Sequence, residues 1–294
     1  MDKVVVDPER CKMCGLCIQA CPRDIFIKGS EIARTVEPDR CYYCGHCKAV
    51  CPENALHFPT LSEEDFELVL PAEERPNPER LLLQFRSRRT TRRYRPDAVE
   101  REKLEKIIQA GRYAPTGHNN QAVQFLVVHS PQALAKVREQ ALKALAGLVN
   151  EFEKPAETSR AKQGSSGKQG ISLRYTREFP GGMKKKVEAA KKGKDLLFYN
   201  APVLMICHTN PSQTSFPTWD VGLATMQMLL MAEAMGLGTC LNGAMVRAIE
   251  YSAELRAALP IPAEHEIPVA FMIGYPAFNF LRTVYRQPAQ VTWV

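Results

Sequence analysis

Cys11-Lys12-Met13-Cys14-Gly15-Leu16-Cys17-Ile18-Gln19-Ala20-Cys21-Pro22 recurs thirty residues on as Cys41-Tyr42-Tyr43-Cys44-Gly45-His46-Cys47-Lys48-Ala49-Val50-Cys51-Pro52. The two stretches hold eight of the chain's ten cysteines, each in the spacing C-x2-C-x2-C-x3-C-P. Three closely spaced thiolates can wrap one side of an iron–sulfur cube, with the amides between them facing its sulfides. The fourth thiolate must come from elsewhere. Structural zinc uses two separated C-x2-C knuckles and has no need of a third cysteine or of the repeated Cys-Pro. Disulfides need an oxidising compartment, and the N-terminus carries neither the basic nor the apolar region of an export signal.

This doubled motif resembles the bacterial-type ferredoxin signature for two [4Fe–4S] clusters. The resemblance implies crossed ligation, in which each motif's last cysteine serves the other cluster. Cys11, Cys14, Cys17 and Cys51 then hold one cluster, and Cys41, Cys44, Cys47 and Cys21 the other. Crossing would couple cluster assembly to folding, as suits a module of residues 1–58 with little core of its own. Each copy reads as a short strand, a cluster loop, a short helix and a return strand. Val4–Val6 and Asp24–Ile27 match Ala33–Val36 and Ala55–Phe58 only loosely. His46, inside the second motif, is read as a solvated loop residue rather than as a tuner of that cluster.

A chain of 294 residues with net charge +7 suggests a large domain with an appendage. The charge is uneven. Residues 1–58 hold 8 basic and 8 acidic side chains, residues 59–80 hold 2 and 7, and residues 81–294 hold 29 and 17. The acidic, proline-bearing stretch 59–80 reads as a linker. The basic excess beyond it suits an anionic cofactor or an acidic electron carrier. No nucleic-acid motif accompanies it. The longest apolar run, Ala201–Cys207, is too short to span a membrane, Arg88-Arg89 is internal and no export signal, and a cytoplasmic protein is expected.

From residue 81 the pattern mixes helix and strand. Asp97–Tyr113 is predicted as a surface helix, with Leu104, Ile107, Ile108 and Gly111 inward and Asp97 with Glu100 as a capping pair. Gln124–His129, Ala201–Thr209 and Ile267–Tyr275 are predicted strands, the last two central in a sheet. Thr218–Gly236, apolar on nearly every face, is predicted as a helix in a core or an interface. Residues 146–195, with 12 basic and 6 acidic side chains, are read as a mobile insertion or lid.

Arg88-Arg89-Thr90-Thr91-Arg92-Arg93-Tyr94 is similar to the R-R-S-x-R-x-F opening of the nitroreductase family. The likeness continues, in the family's order, through Ala114-Pro115-Thr116-Gly117-His118-Asn119-Asn120-Gln121 and Asn200-Ala201-Pro202. Asp220–Ala224, Gly236–Cys240 and Gly274-Tyr275-Pro276 complete it. The resemblance implies a nitroreductase-like α+β sandwich over residues 81–294, working as a homodimer with FMN in the subunit interface. Carried over, Arg88, Arg89, Thr90 and Arg92 would bind the flavin's phosphate and ring edge. Asn119 would lie near the ring, the backbone of Leu241, Asn242 and Gly243 would approach its N5 and O4, and Arg286 would add a phosphate contact.

A phosphate suits bidentate guanidinium. Close approach to a flat ring suits glycine, which Gly236, Gly238 and Gly243 offer. The family's Ser is Thr90 here, its Pro-Trp after the Gln is Ala122-Val123, and a basic residue it often has two before Arg286 is Val284. No catalytic side chain stands out beyond His118 as a proton donor. Cys207 and Cys240 are read as packing residues.

Three functions are open on these grounds. The first is an FMN-dependent oxidoreductase fed singly by an external carrier such as reduced ferredoxin, through the clusters, toward a nitroaromatic, quinone or enone-like small molecule. The second reverses the flow: NAD(P)H as donor, the clusters exporting to a partner. No complete Rossmann fingerprint is present to bind that donor. The third is a non-enzymatic electron carrier or redox sensor.

Overall fold

A computed structural model describes residues 3–153 and 173–294, and the chain divides into two compact units. The first unit comprises residues 1–76 together with His118–Asn120, and the second holds the remainder.

In the first unit β1 (Val5–Val6), α1 (Leu16–Ala20), β2 (Phe26–Lys28), β3 (Ala33–Thr35), α2 (His46–Ala49) and β4 (Leu56–His57) follow one another. β1 pairs antiparallel with β4, so the chain's return strand closes on its first, while β2 and β3 form a hairpin with Ile27 opposite Arg34. The sequence repeat is also a backbone repeat. Met13 and Tyr43 have φ of 55° and 54°, Gly15 and Gly45 of 78° and 73°, and Asp24 and Asn54 of 54° and 48°. Each helix therefore starts from a left-handed glycine, which has no Cβ to oppose that turn. The core is small: Val4, Ile25, Phe26, Leu56 and Phe58, packed with the buried Cys17 and Cys47. The acidic stretch after residue 58 joins this unit as far as Pro76, partly as a 3-10 turn at Glu63–Asp65.

The second unit opens with α3 (Pro78–Ser87), earlier than the sequence suggested. Asn77 Oδ1 accepts from the backbone N–H of Glu79 and Arg80, and Pro78 fills the first helical position, where no N–H is needed. α4 (Arg101–Arg112) buries Leu104, Ile107 and Gly111. Its expected capping pair does not form: Glu100 occupies the cap without a side-chain cap bond and instead accepts from the Tyr275 hydroxyl at 2.6 Å.

β5 (Val123–Val128), β6 (Val203–Thr209), β7 (Gly238–Leu241) and β8 (Glu266–Gly274) form an antiparallel sheet in the order β5-β6-β8-β7. Every residue of β6 is buried, as its unbroken apolar run required. α4 and α7 (Pro217–Ala234) cover one face over Val203, Met205, Cys207, Phe271 and Ile273. The other face is covered by α5 (Pro131–Glu153), α6 (Leu173–Lys191), α8 (Gly243–Tyr251) and α9 (Ala253–Ala258). The result is an α+β sandwich.

Residues 146–153 lie in α5, and Leu148 and Val149 are core. Met183 of α6 is equally buried. The two ends of the expected lid are thus core-packed helix, and its middle lies outside the described residues.

Candidate cofactor sites

Cys21, Cys41, Cys44 and Cys47 line one pocket, with Pro22, Tyr42 and Phe58 beside them. The last cysteine of the first motif therefore stands with the first three of the second, as the crossed pattern implies. Burial raises the Cys17 thiol, and the neighbouring Cys11 and Cys14 push the same way. All ten cysteines are free. Burial pushes the Cys47 thiol up to about 12, and the neighbouring thiols Cys44, Cys41 and Cys21 push the same way. A buried set of thiols cannot ionise together without a polycationic centre among them. Backbone donors also face the sulfurs: Tyr43 N–H to Cys41 Sγ at 3.4 Å and Ala55 N–H to Cys51 Sγ at 3.3 Å. Among the described residues no three His, Cys, Asp or Glu side chains converge on a single metal ion. The wider spacing of a cube, one thiolate to each corner iron, is a different geometry.

In the second unit, Arg88, Arg89 and Thr90 leave α3 as an extended strand. It runs parallel to β7, Thr90 bridging Thr239 and the Thr91 N–H donating to Thr239 O at 2.8 Å. Arg89 is held below the usual arginine range, first by burial and then by Arg286 and Arg88. The adjacent Arg88 and Arg89 are thus joined by Arg286 from nearly two hundred residues on, and a phosphate dianion would relieve the mutual repulsion of the three guanidinium groups. Arg92 lies at Cys240, where burial pushes the thiol up while Arg92 and Lys186 pull it down. Lys186, missed by sequence reading, faces the same point from α6. Tyr94 Oη is buried nearby without a hydrogen-bond partner among the described residues.

The three glycines offered for the flavin have separate reasons. A β-carbon on Gly238 would meet Thr91 Oγ1 at 2.3 Å, so that glycine admits a threonine. Gly236 has φ of 76° and ends α7. Gly243 stands at the head of α8, and a β-carbon there, as on Gly236, would meet nothing within 4 Å. Leu241 is exposed beside it. Asn242 between them is structural. Its side chain accepts from Met245 N–H at 3.1 Å and donates to Leu197 O at 3.0 Å, and its own N–H is taken by Ala270 O at 2.7 Å. That leaves the backbone of Leu241 and Gly243 as the part of the trio open to a ring.

Asn119 belongs to the first unit, where its Nδ2 donates to Tyr42 O at 3.1 Å and Tyr43 O at 3.0 Å. His118 sits edge-on to the Tyr42 ring, with centroids 5.3 Å apart. Cys207 is fully buried, its thiol pushed up to about 12 by burial.

The family model described as "Nitroreductase family" matches residues 85–275, and one for a 4Fe-4S dicluster domain matches residues 3–60. The chain belongs to the nitroreductase family and carries a 4Fe–4S dicluster domain at its N-terminal end. Among solved structures it is similar to a nitroreductase with bound FMN from Desulfitobacterium hafniense DCB-2, at 19% identity and TM-score 0.52, covering 72% of this chain and 97% of that one. It is also similar to a nitroreductase with bound FMN from Bacteroides fragilis NCTC 9343, at 20% identity and TM-score 0.51, covering 73% and 98%. No curated protein matches the chain.

Proposed function

We propose that this protein is an iron–sulfur flavoprotein that takes single electrons from an external low-potential carrier such as reduced ferredoxin. Two [4Fe–4S] clusters would feed FMN, and the reduced product would be a small nitroaromatic, quinone or enone-like molecule. The observation that carries this reading is the pocket uniting Cys21 with Cys41, Cys44 and Cys47. A chain that spends eight cysteines on electron passage has a use for one-electron donors. When bound, FMN would supply the exchange between one-electron and two-electron chemistry, and the clusters the one-electron traffic.

The chain's own residues do the holding. Arg88, Arg89 and Arg286 would neutralise the phosphate, and Thr90 would add a hydroxyl. Arg92 would lie toward the ring edge, and the backbone at Leu241 and Gly243 would lie against the ring without a side chain intervening.

A homodimer with the flavin in its interface is part of the proposal. Trp219, Leu223 and Met226 form an exposed apolar stripe on α7, and Phe278, Leu281 and Trp293 are exposed beyond β8. In a single chain this much apolar surface is unusual. Among the described residues no helix is long and apolar enough to cross a membrane. Ten free thiols suit a reducing compartment, so the cytoplasm is the proposed location.

Anaerobic purification with iron and flavin quantification tests the reading. It should give about eight irons and one FMN per chain. Rapid mixing then settles direction: reduced ferredoxin should bleach the cluster bands before the flavin band. If NAD(P)H does so efficiently in the opposite order, the flow is reversed.

A further inference from the structure

The two halves of the repeat match in cysteines and in backbone but differ in what covers them. A β-carbon on Gly15 of the first motif would meet nothing within 4 Å. One on Gly45, its counterpart, would lie 3.0 Å from the Phe66 ring. Phe66 stacks on Phe58 at 6.1 Å with 8° between the ring planes, and Phe58 in turn meets Tyr43 at 6.3 Å. Cys14 is exposed, whereas its counterpart Cys44 is half-buried.

The position thirty residues after Ile18 is Lys48, and its side chain is 2% exposed. Its Nζ donates to Asn54 Oδ1 at 2.9 Å and Leu56 O at 2.9 Å. It pairs with Glu63 Oε2 at 2.8 Å and lies 5.2 Å from the centre of the Phe66 ring. His57 Nδ1 approaches the other oxygen of Glu63 at 3.4 Å. A lysine buried to this degree is costly unless every N–H finds an acceptor. Here the third acceptor is supplied from outside the repeat, by the acidic stretch that follows it. Ser62 Oγ caps the turn that presents Glu63, accepting from Glu64 N–H at 3.3 Å.

We propose that Leu61–Phe66 is a cover latched by Lys48 over the second cluster's pocket. It makes the two cluster sites unequal in access and leaves the first, at Cys11, Cys14 and Cys17, as the site open to an outside one-electron carrier. The inference rests on the cluster reading above. It assigns a positioning role to Lys48, a non-ligand inside the second motif, and to Glu63 and Phe66 beyond it.

The test uses the anaerobically purified full chain. Ferricyanide is added to degrade accessible clusters, and iodoacetamide to alkylate the cysteines set free. Iron release is followed in time, and peptides are mapped by mass spectrometry. Iron should leave in two phases of about half each, with Cys11, Cys14 and Cys17 labelled in the first phase and Cys41, Cys44 and Cys47 in the second. Phe66→Ala should speed the second phase about tenfold or more by raising the population of the open form, and leave the first phase unchanged. Lys48→Met should do the same. Should that variant fail to fold, Phe66→Ala, altered at a half-exposed side chain, still decides the matter. Release in one phase, labelling in the reverse order, or a second phase that Phe66→Ala does not move would overturn the proposal. A chain that never takes up iron would instead overturn the cluster reading beneath it.

Discussion

His208 and His265 face each other Nδ1 to Nδ1 at 2.8 Å, with both rings buried at the end of β6 where its register with β8 shifts. One nitrogen must donate and the other accept, so at least one ring is neutral. Burial, and after it the charges of His265 and Arg256, together lower His208 from an ordinary 6.5 to about 4. Arg256 cannot turn away, because its guanidinium is bonded to Ile261 O and His265 O.

Because that folded-state value is depressed, the unfolded chain takes up the proton first as pH falls. Stability should therefore be intact above about pH 6.5 and be lost on acidification toward pH 4, by about 3 kcal/mol in all. Thermal melts at several pH values should show His208→Gln losing less Tm between pH 7 and pH 5 than the parent. Equal slopes in the two proteins would refute the assignment.

Arg89 sits against two other guanidinium groups. Replacing it with Met should weaken FMN binding by about 1.5–3 kcal/mol, or roughly ten- to a hundredfold, as for loss of one charge-assisted hydrogen bond. The same change should leave the Tm of flavin-free protein unchanged or raised, since like-charge repulsion is relieved. Flavin fluorescence titration and melts of both forms would separate a ligand contact from a structural one.

Gly238 and Gly243 look alike in sequence and should behave oppositely. Gly238→Ala forces Thr91 aside and should destabilise the fold by about 1–3 kcal/mol. Gly243→Ala meets no neighbour and favours the helix that starts there, so its Tm should hold. Its loss should appear in FMN affinity, measured by flavin retention after dialysis.

Cys14→Ser removes an exposed thiol proposed to hold the first cluster. Turnover driven by reduced ferredoxin should be abolished, while flavin reduction by dithionite or by NAD(P)H should be spared. Equal loss with all three donors would count against the proposed path.

The repeat was legible because cluster ligation fixes residue type, spacing and backbone together. The left-handed φ at Gly15 and Gly45 is the same constraint seen in coordinates. β6 and β8 were legible because a strand buried on both faces must be continuously apolar. What could not be read was tertiary. The capping pair at Asp97 and Glu100 failed because Glu100 found the Tyr275 hydroxyl, 175 residues away. Nothing in the sequence singles out Lys48, since its acceptors become visible only once Asn54, Leu56 and Glu63 are folded around it. Gly236, Gly238 and Gly243 were read as close approaches to a ring, yet Gly238 makes room for Thr91. Gly274 leaves room for Pro202 and Tyr94, and a β-carbon there would lie 2.6 Å from the proline ring.

The placement of β6 also sets an order of events during synthesis. Its partners are β5, some eighty residues upstream, and β8, close to the end of the chain. Such distant pairings are slow to close. While the ribosome is still making the second half, β6 has only one of its two neighbours and an uncovered apolar surface. The cysteine module emerges first and needs no contact from the sheet to reach its own hairpin and strand pairing. Iron delivery to the nascent chain could therefore precede completion of the flavin domain, and a stalled ribosome would carry a metallated, half-built product.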